Sequence, residues 1–214
     1  MTGFVIKAVL SVLIGYLLGS LNTSLIVGKF YGIDVRQHGS GNAGMTNTLR
    51  TLGKLAAIYV IIGDVLKGVI SCLIGFYILK GIDTNIIEYL GYDQRVGFLI
   101  GGLGAILGHN WPIYFGFKGG KGILTTFSVI MMSSPQIGLI LLGIFLIIVA
   151  VTRYISLGSI IGSALFPFVS AVVVKSIVFT AFAAIVGLLA ISRHHSNIGR
   201  LLKGTESKLG VKKA

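Results

Sequence analysis

The chain has 214 residues, 54% of them hydrophobic and 11% charged, with a mean hydropathy of +0.94. A soluble domain carries about a quarter of its residues as charge, so this balance excludes a soluble globule and indicates a membrane protein. The net charge of +12 suits anionic lipid or anionic substrates. Nucleic acid fits poorly, because the cations are spread over short loops between apolar runs.

The first apolar run, Phe4 to Ile26, is at about 20 residues long enough to span. Only Lys7 stands near its front and no small-x-small cleavage site follows, so it reads as a retained helix rather than a secretory signal. Further spans are predicted over 55–79, 96–115, 122–134, 137–151, 157–174 and 176–192, because a backbone in lipid must satisfy its own hydrogen bonds. The third contains "GFLIGGLGAILG", whose glycines permit close helix packing. The fourth and fifth are short and are divided by Pro135, which leaves a tilted, a re-entrant or one long kinked helix open. Within the second span Asp64 and Lys67 stand three apart, where pairing would lower the cost of charge in lipid. Structural neutralisation is the favoured reading of that pair. The single Cys72 lies inside an apolar run, so no internal disulfide forms and it reads as filler.

With the N-terminus outside and the C-terminus cytoplasmic, seven transmembrane helices put 13 of the 18 Lys and Arg residues on the cytoplasmic side. Lys7, Lys80, Arg95 and Lys175 fall outside, and Lys67 lies within a span. The outer loop 80–95 also holds Asp83, Glu88 and Asp93 and is nearly neutral. The alternative is five spans, merging 122–151 and 157–192. Both arrangements describe an all-α polytopic membrane protein, a single domain over 1–214 with a basic tail over 193–214. Both also leave three polar, glycine-containing segments, 36–53, 109–122 and 193–206, on one face, which predicts one composite site at the cytoplasmic surface.

The first segment, "RQHGSGNAGMTNTLRTLG", contains a literal G-x-G-x-x-G from Gly39 to Gly44, with Asp64 twenty residues on. A dinucleotide fold needs a strand before that motif. Polar "RQH" precedes it here, so the match is accidental. The physics still applies: glycines let backbone N–H groups approach an anion, and a following helix start adds positive potential. Ser40, Asn42, Thr46 and Asn47 add short donors, and Arg50 a planar cation suited to phosphate. The second segment, "GHNWPIYFGFKGGKGI", lacks the Walker spacing. Its Gly119, Gly120 and Gly122 flank Lys121 at the start of an apolar helix, and Trp111, Tyr114 and Phe115 resemble an interfacial aromatic belt. His109 taken alone reads as a helix-end or interfacial histidine. The third segment, "SRHHSNIGRLLKGTES", doubles as a basic amphipathic tail resting on anionic lipid. It also places His194 and Asn197 on one helix face. Arg153, Ser156 and Ser159, at the preceding inner loop, are in reach of the same place.

The inner face has only Asp34 and Glu206 as acids, too few for a magnesium cage. Phosphates would be held by cations and N–H groups, with no metal and no cofactor. There is no H-x-x-x-x-D, so the His–Asp acyltransferase arrangement is missing.

"GSGNAGMTNTLRTLG", "GHNWPIYFGFKGGKGI" and "HHSNIGRLLKGTE", set between apolar spans, resemble the bacterial membrane acyltransferases of the PlsY family. The resemblance runs from "GYLLGSLNTSLIVGK" to the tail. It implies a seven-helix enzyme of the cell (inner) membrane, its site facing the cytoplasm. The implied reaction moves a fatty acyl group from acyl phosphate to the sn-1 hydroxyl of glycerol 3-phosphate, without using acyl-CoA or acyl carrier protein directly. Carried onto this chain, it implies Gly39, Ser40, Gly41, Asn42, Thr46, Asn47 and Arg50 around phosphate. Lys121 with His109, in the loop of Gly119 and Gly120, would join them, as would His194, Asn197 and Ser159. Met45 departs from the family's usual alanine. The competing class is a membrane transporter of a phosphorylated solute, although no internal repeat is evident.

Overall fold

The computed structural model describes residues 2–81 and 95–210; most of the predicted outer loop 80–95 therefore lies outside the described residues. Within them the secondary structure is helical, without strands. The helices are α1 (Thr2–Gly19), α2 (Thr23–Phe30), α3 (Met45–Leu52), α4 (Lys54–Leu79), α5 (Val96–Asn110) and α6 (Ile123–Ser133), followed by α7 (Pro135–Thr152), α8 (Ile155–Val173), α9 (Ile177–Arg193) and α10 (His195–Leu202). They form two compact units, one of residues 2–81 with 95–133, the other of residues 134–210.

The first unit is organised around α5, and its glycines explain why. A methyl group on Gly15 or Gly19 of α1 would strike the backbone of Gly101 or Ala105. One on Gly101 would strike the Ser71 carbonyl of α4, and one on Gly102 the Val129 side chain of α6. Gly104 and Gly108 abut the carbonyls of Val12 and Tyr16. The predicted close packing of the glycine-rich span is realised on three sides of one helix, backbone against backbone toward α1 and α4 and backbone against side chain toward α6. Lipid-side faces are left to large apolar side chains, among them Val5, Leu13, Ile58, Ile62 and Leu66, all exposed.

Two short helices frame the first polar loop. Asn22 caps α2 by accepting from Leu25 N (3.1 Å). Leu25, Val35 and Ala43 then make a small core with Ile33, Leu52 and Phe115. Met45, half-buried, packs against a second small core of Val27, Ala56 and Val60.

In the second unit, α8 and α9 fold back on each other across 174–176, where Lys175 takes a left-handed turn (φ 53°). Phe166 meets Phe179 and Phe182 edge to face in the interior, and the latter two are tilted, with centroids 6.1–6.4 Å apart.

Span lengths refine the predicted count. Thr2–Phe30, Lys54–Leu79, Val96–Phe115, Pro135–Thr152 and Ile155–Val173 are each long and apolar enough to cross. α9 with α10 qualifies as a sixth only as a pair bent by 59°. α6 has 11 residues, about half of what a crossing needs. Seven full-length crossings are thus more than these lengths supply. The five-span alternative matches the number of single helices long enough to cross, but its two mergers do not form: helix ends at Ser133 and restarts at Pro135, and 157–192 is a hairpin of two helices. Proline lacks the N–H that would continue the first.

Candidate active site

The first loop is a rigid object built on Asn47. Its side chain is fully buried. Its Oδ1 accepts from Ser40 N (2.8 Å), and its Nδ2 donates to Val35 O (2.8 Å) and His38 O (3.0 Å). Both amide protons are consumed in holding the turn. Asn47, expected around phosphate, is thus the residue that shapes the loop. Gly39 (φ 61°) and Gly41 (φ 72°) take left-handed conformations beside it, and a methyl group on Gly39 would strike the Asn47 oxygen. Gly39, Ser40, Gly41 and Arg50 are exposed, with Asn42 and Thr46 half-buried. Gly44 begins α3 with no capping side chain, an arrangement that directs helix N–H groups toward an anion.

The second loop closes on the first. Gly120 packs so tightly that a methyl group there would strike both His109 Nε2 and the Ala43 carbonyl. Gly120 N also donates to His109 O (3.1 Å). Arg36 makes a second seam: its Nη1 donates to Phe115 O (3.0 Å) and Lys118 O (3.2 Å), while Nη2 pairs with Asp34 (2.7 Å). Hydrogen bonding from Arg36 holds the Asp34 carboxyl below its usual range. Lys121 is half-buried next to Gly120, and Gly119 lies against the His109 carbonyl. Two of the three predicted segments thus meet within the first unit. His109 is buried beneath them (3% exposed), with Nδ1 2.9 Å from Lys67 Nζ.

The predicted pairing inside the bilayer is also present. Lys67 Nζ lies 2.8 Å from Asp64 Oδ1, and both side chains are almost wholly buried. Lys67 Nζ bridges that oxygen and His109 Nδ1, which are 3.5 Å apart.

The third segment is assembled in the second unit. His194 caps the start of α10, is buried, and its Nδ1 lies 2.8 Å from Ala190 O. A carbonyl only accepts, so Nδ1 donates and Nε2 is the basic nitrogen. Asn197 Nδ2 donates to Glu206 Oε1 (2.7 Å), as does Ser156 Oγ (2.7 Å), and Arg200 Nε donates to Oε2 (2.6 Å). Burial pushes the Glu206 carboxyl up, but these bonds from Ser156, Arg200 and Asn197 outweigh it and hold the group below its usual range. Ser159, one helical turn from Ser156, donates to Ile155 O (3.1 Å). Sequence reasoning counted Asp34 and Glu206 only as scarce acids. Their arginine partners, two and six positions away, were the available signal.

The sequence profile of the glycerol-3-phosphate acyltransferase family matches residues 9–204. The glycerol-3-phosphate acyltransferase of Thermoanaerobacter sp. (strain X514) is 46% identical over 206 residues, 96% of this chain and 97% of that one. The chain belongs to this family. The Clostridioides difficile (strain 630) member is 43% identical over 94% of both chains. Among solved structures, PlsY, an integral membrane glycerol 3-phosphate acyltransferase, matches in its glycerol 3-phosphate form with a TM-score of 0.82 and 34% identity. That match covers 95% of this chain and 96% of the PlsY chain. Its lysophosphatidic acid form matches with a TM-score of 0.79. The expected family is therefore the right one, and the protein is an integral membrane glycerol-3-phosphate acyltransferase.

Proposed function

We propose that the acyl donor is acyl phosphate and that the acceptor is the sn-1 hydroxyl of glycerol 3-phosphate. The products are lysophosphatidate and inorganic phosphate, the first acylation of phospholipid synthesis. The observation that carries this reading is the seam at Gly120 and Ala43. It sets a lysine loop beside a glycine loop and the uncapped start of α3, a cationic, N–H-lined place for phosphate made from protein groups alone. Related PlsY structures in glycerol 3-phosphate and lysophosphatidic acid forms support acceptor and product.

In this reading Ser40, Asn42, Arg50 and Lys121, with the backbone of Gly39, Gly41, Gly119 and Gly120 and the Thr46 hydroxyl, hold phosphate and the developing oxyanion. His194, Asn197 and Ser159 serve the glycerol phosphate. The sn-1 oxygen attacks the acyl carbon, forming the ester C–O bond. Its proton passes to His194 Nε2 or to a substrate phosphate oxygen. The bond from carbonyl carbon to phosphate oxygen breaks, and phosphate leaves with that electron pair. No acyl-enzyme forms, so rapid quench with labelled donor traps no acyl group on Ser40. The site faces the cytoplasm, with the N-terminus outside. The alkyl chain lies among helices at the bilayer edge while the head meets the loops.

The deciding assay gives purified protein palmitoyl phosphate and glycerol 3-phosphate in the presence of EDTA, and lysophosphatidate is expected. No product from palmitoyl phosphate, with product from an acyl thioester in its place, would overturn the assignment of the donor.

A further inference from the structure

We propose that Asp64, Lys67 and His109 form a buried ionic strut that positions the Gly119–Gly122 loop against Ala43. The proposal rests on the reading of that loop as the holder of an anionic substrate. The three residues are 1%, 5% and 3% exposed, in packed helices where Thr125 Oγ1 of α6 donates to the Asp64 carbonyl (3.4 Å). Charges there are expensive, and a buried ion pair is a poor way to gain stability compared with packed apolar residues. Its value lies in directing what it touches.

What it touches is the junction of the two loops, from both sides. Lys67 Nζ has one ionic partner and two hydrogen-bond acceptors around it. They are Asp64 Oδ1 at 2.8 Å, His109 Nδ1 at 2.9 Å and Leu21 O at 3.4 Å. Leu21 precedes Asn22, whose Nδ2 donates to Ala43 O (3.3 Å) while its Oδ1 caps α2. On the other side Lys67 donates to Nδ1, which puts the ring proton on Nε2. That edge of the ring lies against Gly120, whose other neighbour is the same Ala43 carbonyl. Lys121 is the next residue. The strut therefore sets where the lysine loop begins relative to the glycine loop, although its carboxylate and ammonium belong to the span. Asp64, Lys67 and His109 are positioning residues: none of them needs to meet the substrate.

The test uses the full-length enzyme in lipid nanodiscs and two variants. The double variant Asp64→Asn/Lys67→Met removes both charges together and orphans neither. His109→Asn keeps a polar partner for Lys67 near the Nδ1 position and withdraws the ring edge from Gly120. In both, amide exchange over 118–123 should quicken by about tenfold or more, with the protection of α4 and α5 unchanged. The KM for glycerol 3-phosphate should rise by about tenfold, with kcat within about threefold of the parent. Unchanged loop exchange and unchanged KM would overturn the proposal. So would a uniform loss of protection across all helices, the mark of a purely structural pair. If the double variant does not fold, His109→Asn decides by the same two readings. Should the parent enzyme make no lysophosphatidate, the functional reading fails, and loop exchange still decides the strut.

Discussion

The two units solve the problem of helix association with different shares of backbone and ring contact. In the first, α5 presents backbone to backbone through Gly97, Gly101, Gly104 and Gly108, and the polar residues it carries at its end are held without play. In the second, aromatic rings fill much of the space between α8 and α9, backbone contact is made where Gly187 meets the Ser163 carbonyl, and Gly143 and Gly162 have nothing within 4 Å of an added methyl group. Glycine contact leaves no slack, because backbone cannot rotate away, whereas a ring can tilt. The same contrast runs through the charges. The first unit buries a complete ionic cluster deep in α4 and α5. The second gathers its carboxylate, Glu206, just beyond the last helix, beside a partly exposed Arg200.

The comparison breaks most easily at Gly101. Gly101→Ala drives a methyl group into the Ser71 carbonyl and should cost about 3 kcal/mol or more, read as loss of the folded, monodisperse protein in detergent. Lys121→Ala leaves the helices intact and should lower turnover by about 10²–10³ if the lysine meets charge that develops in the reaction. Steady-state kinetics at saturating substrate check this.

Glu206→Gln tests the looser charged cluster. Losing a carboxylate that accepts from Ser156, Asn197 and Arg200 should cost about 1.5–3 kcal/mol, seen in thermal unfolding. The folded carboxyl lies below its ordinary value of 4.5. Its contribution is thus fully present above about pH 4.5 and fades as pH falls through the folded value. The parent should lose stability with acid more steeply than Glu206→Gln over that window. Asp34→Asn weakens a partly exposed pair while an amide oxygen can still accept from Arg36 N, and should cost about 0.2–1 kcal/mol. Gly143→Ala, in the roomy unit, should leave the melting temperature unchanged or raised by the equivalent of about 0.5–1 kcal/mol.

Much of the fold was legible because membrane helices announce themselves locally. Hydropathy located α1, α4, α5, α7, α8 and α9, and the glycine pattern of α5 announced its packing. Span number was harder, since the short α6 and the bend after Arg193 depend on neighbours. The site was legible as segments and less so as roles. Asn47 and His109 have the composition of ligand-binding residues, yet both are turned inward to hold loops. Arg36 looked like one more cytoplasmic cation and proves to stitch the two loops together.

What the residues alone determined is the class of protein, the approximate spans and the family, because backbone hydrogen bonding in lipid is satisfied within each helix and composition reports it directly. Tertiary structure decided which polar atoms are left for a substrate and which are spent on each other. Partnerships such as Lys67 with His109, 42 positions apart, arise only when packed helices bring distant side chains within hydrogen-bond range, and no local pattern encodes that distance.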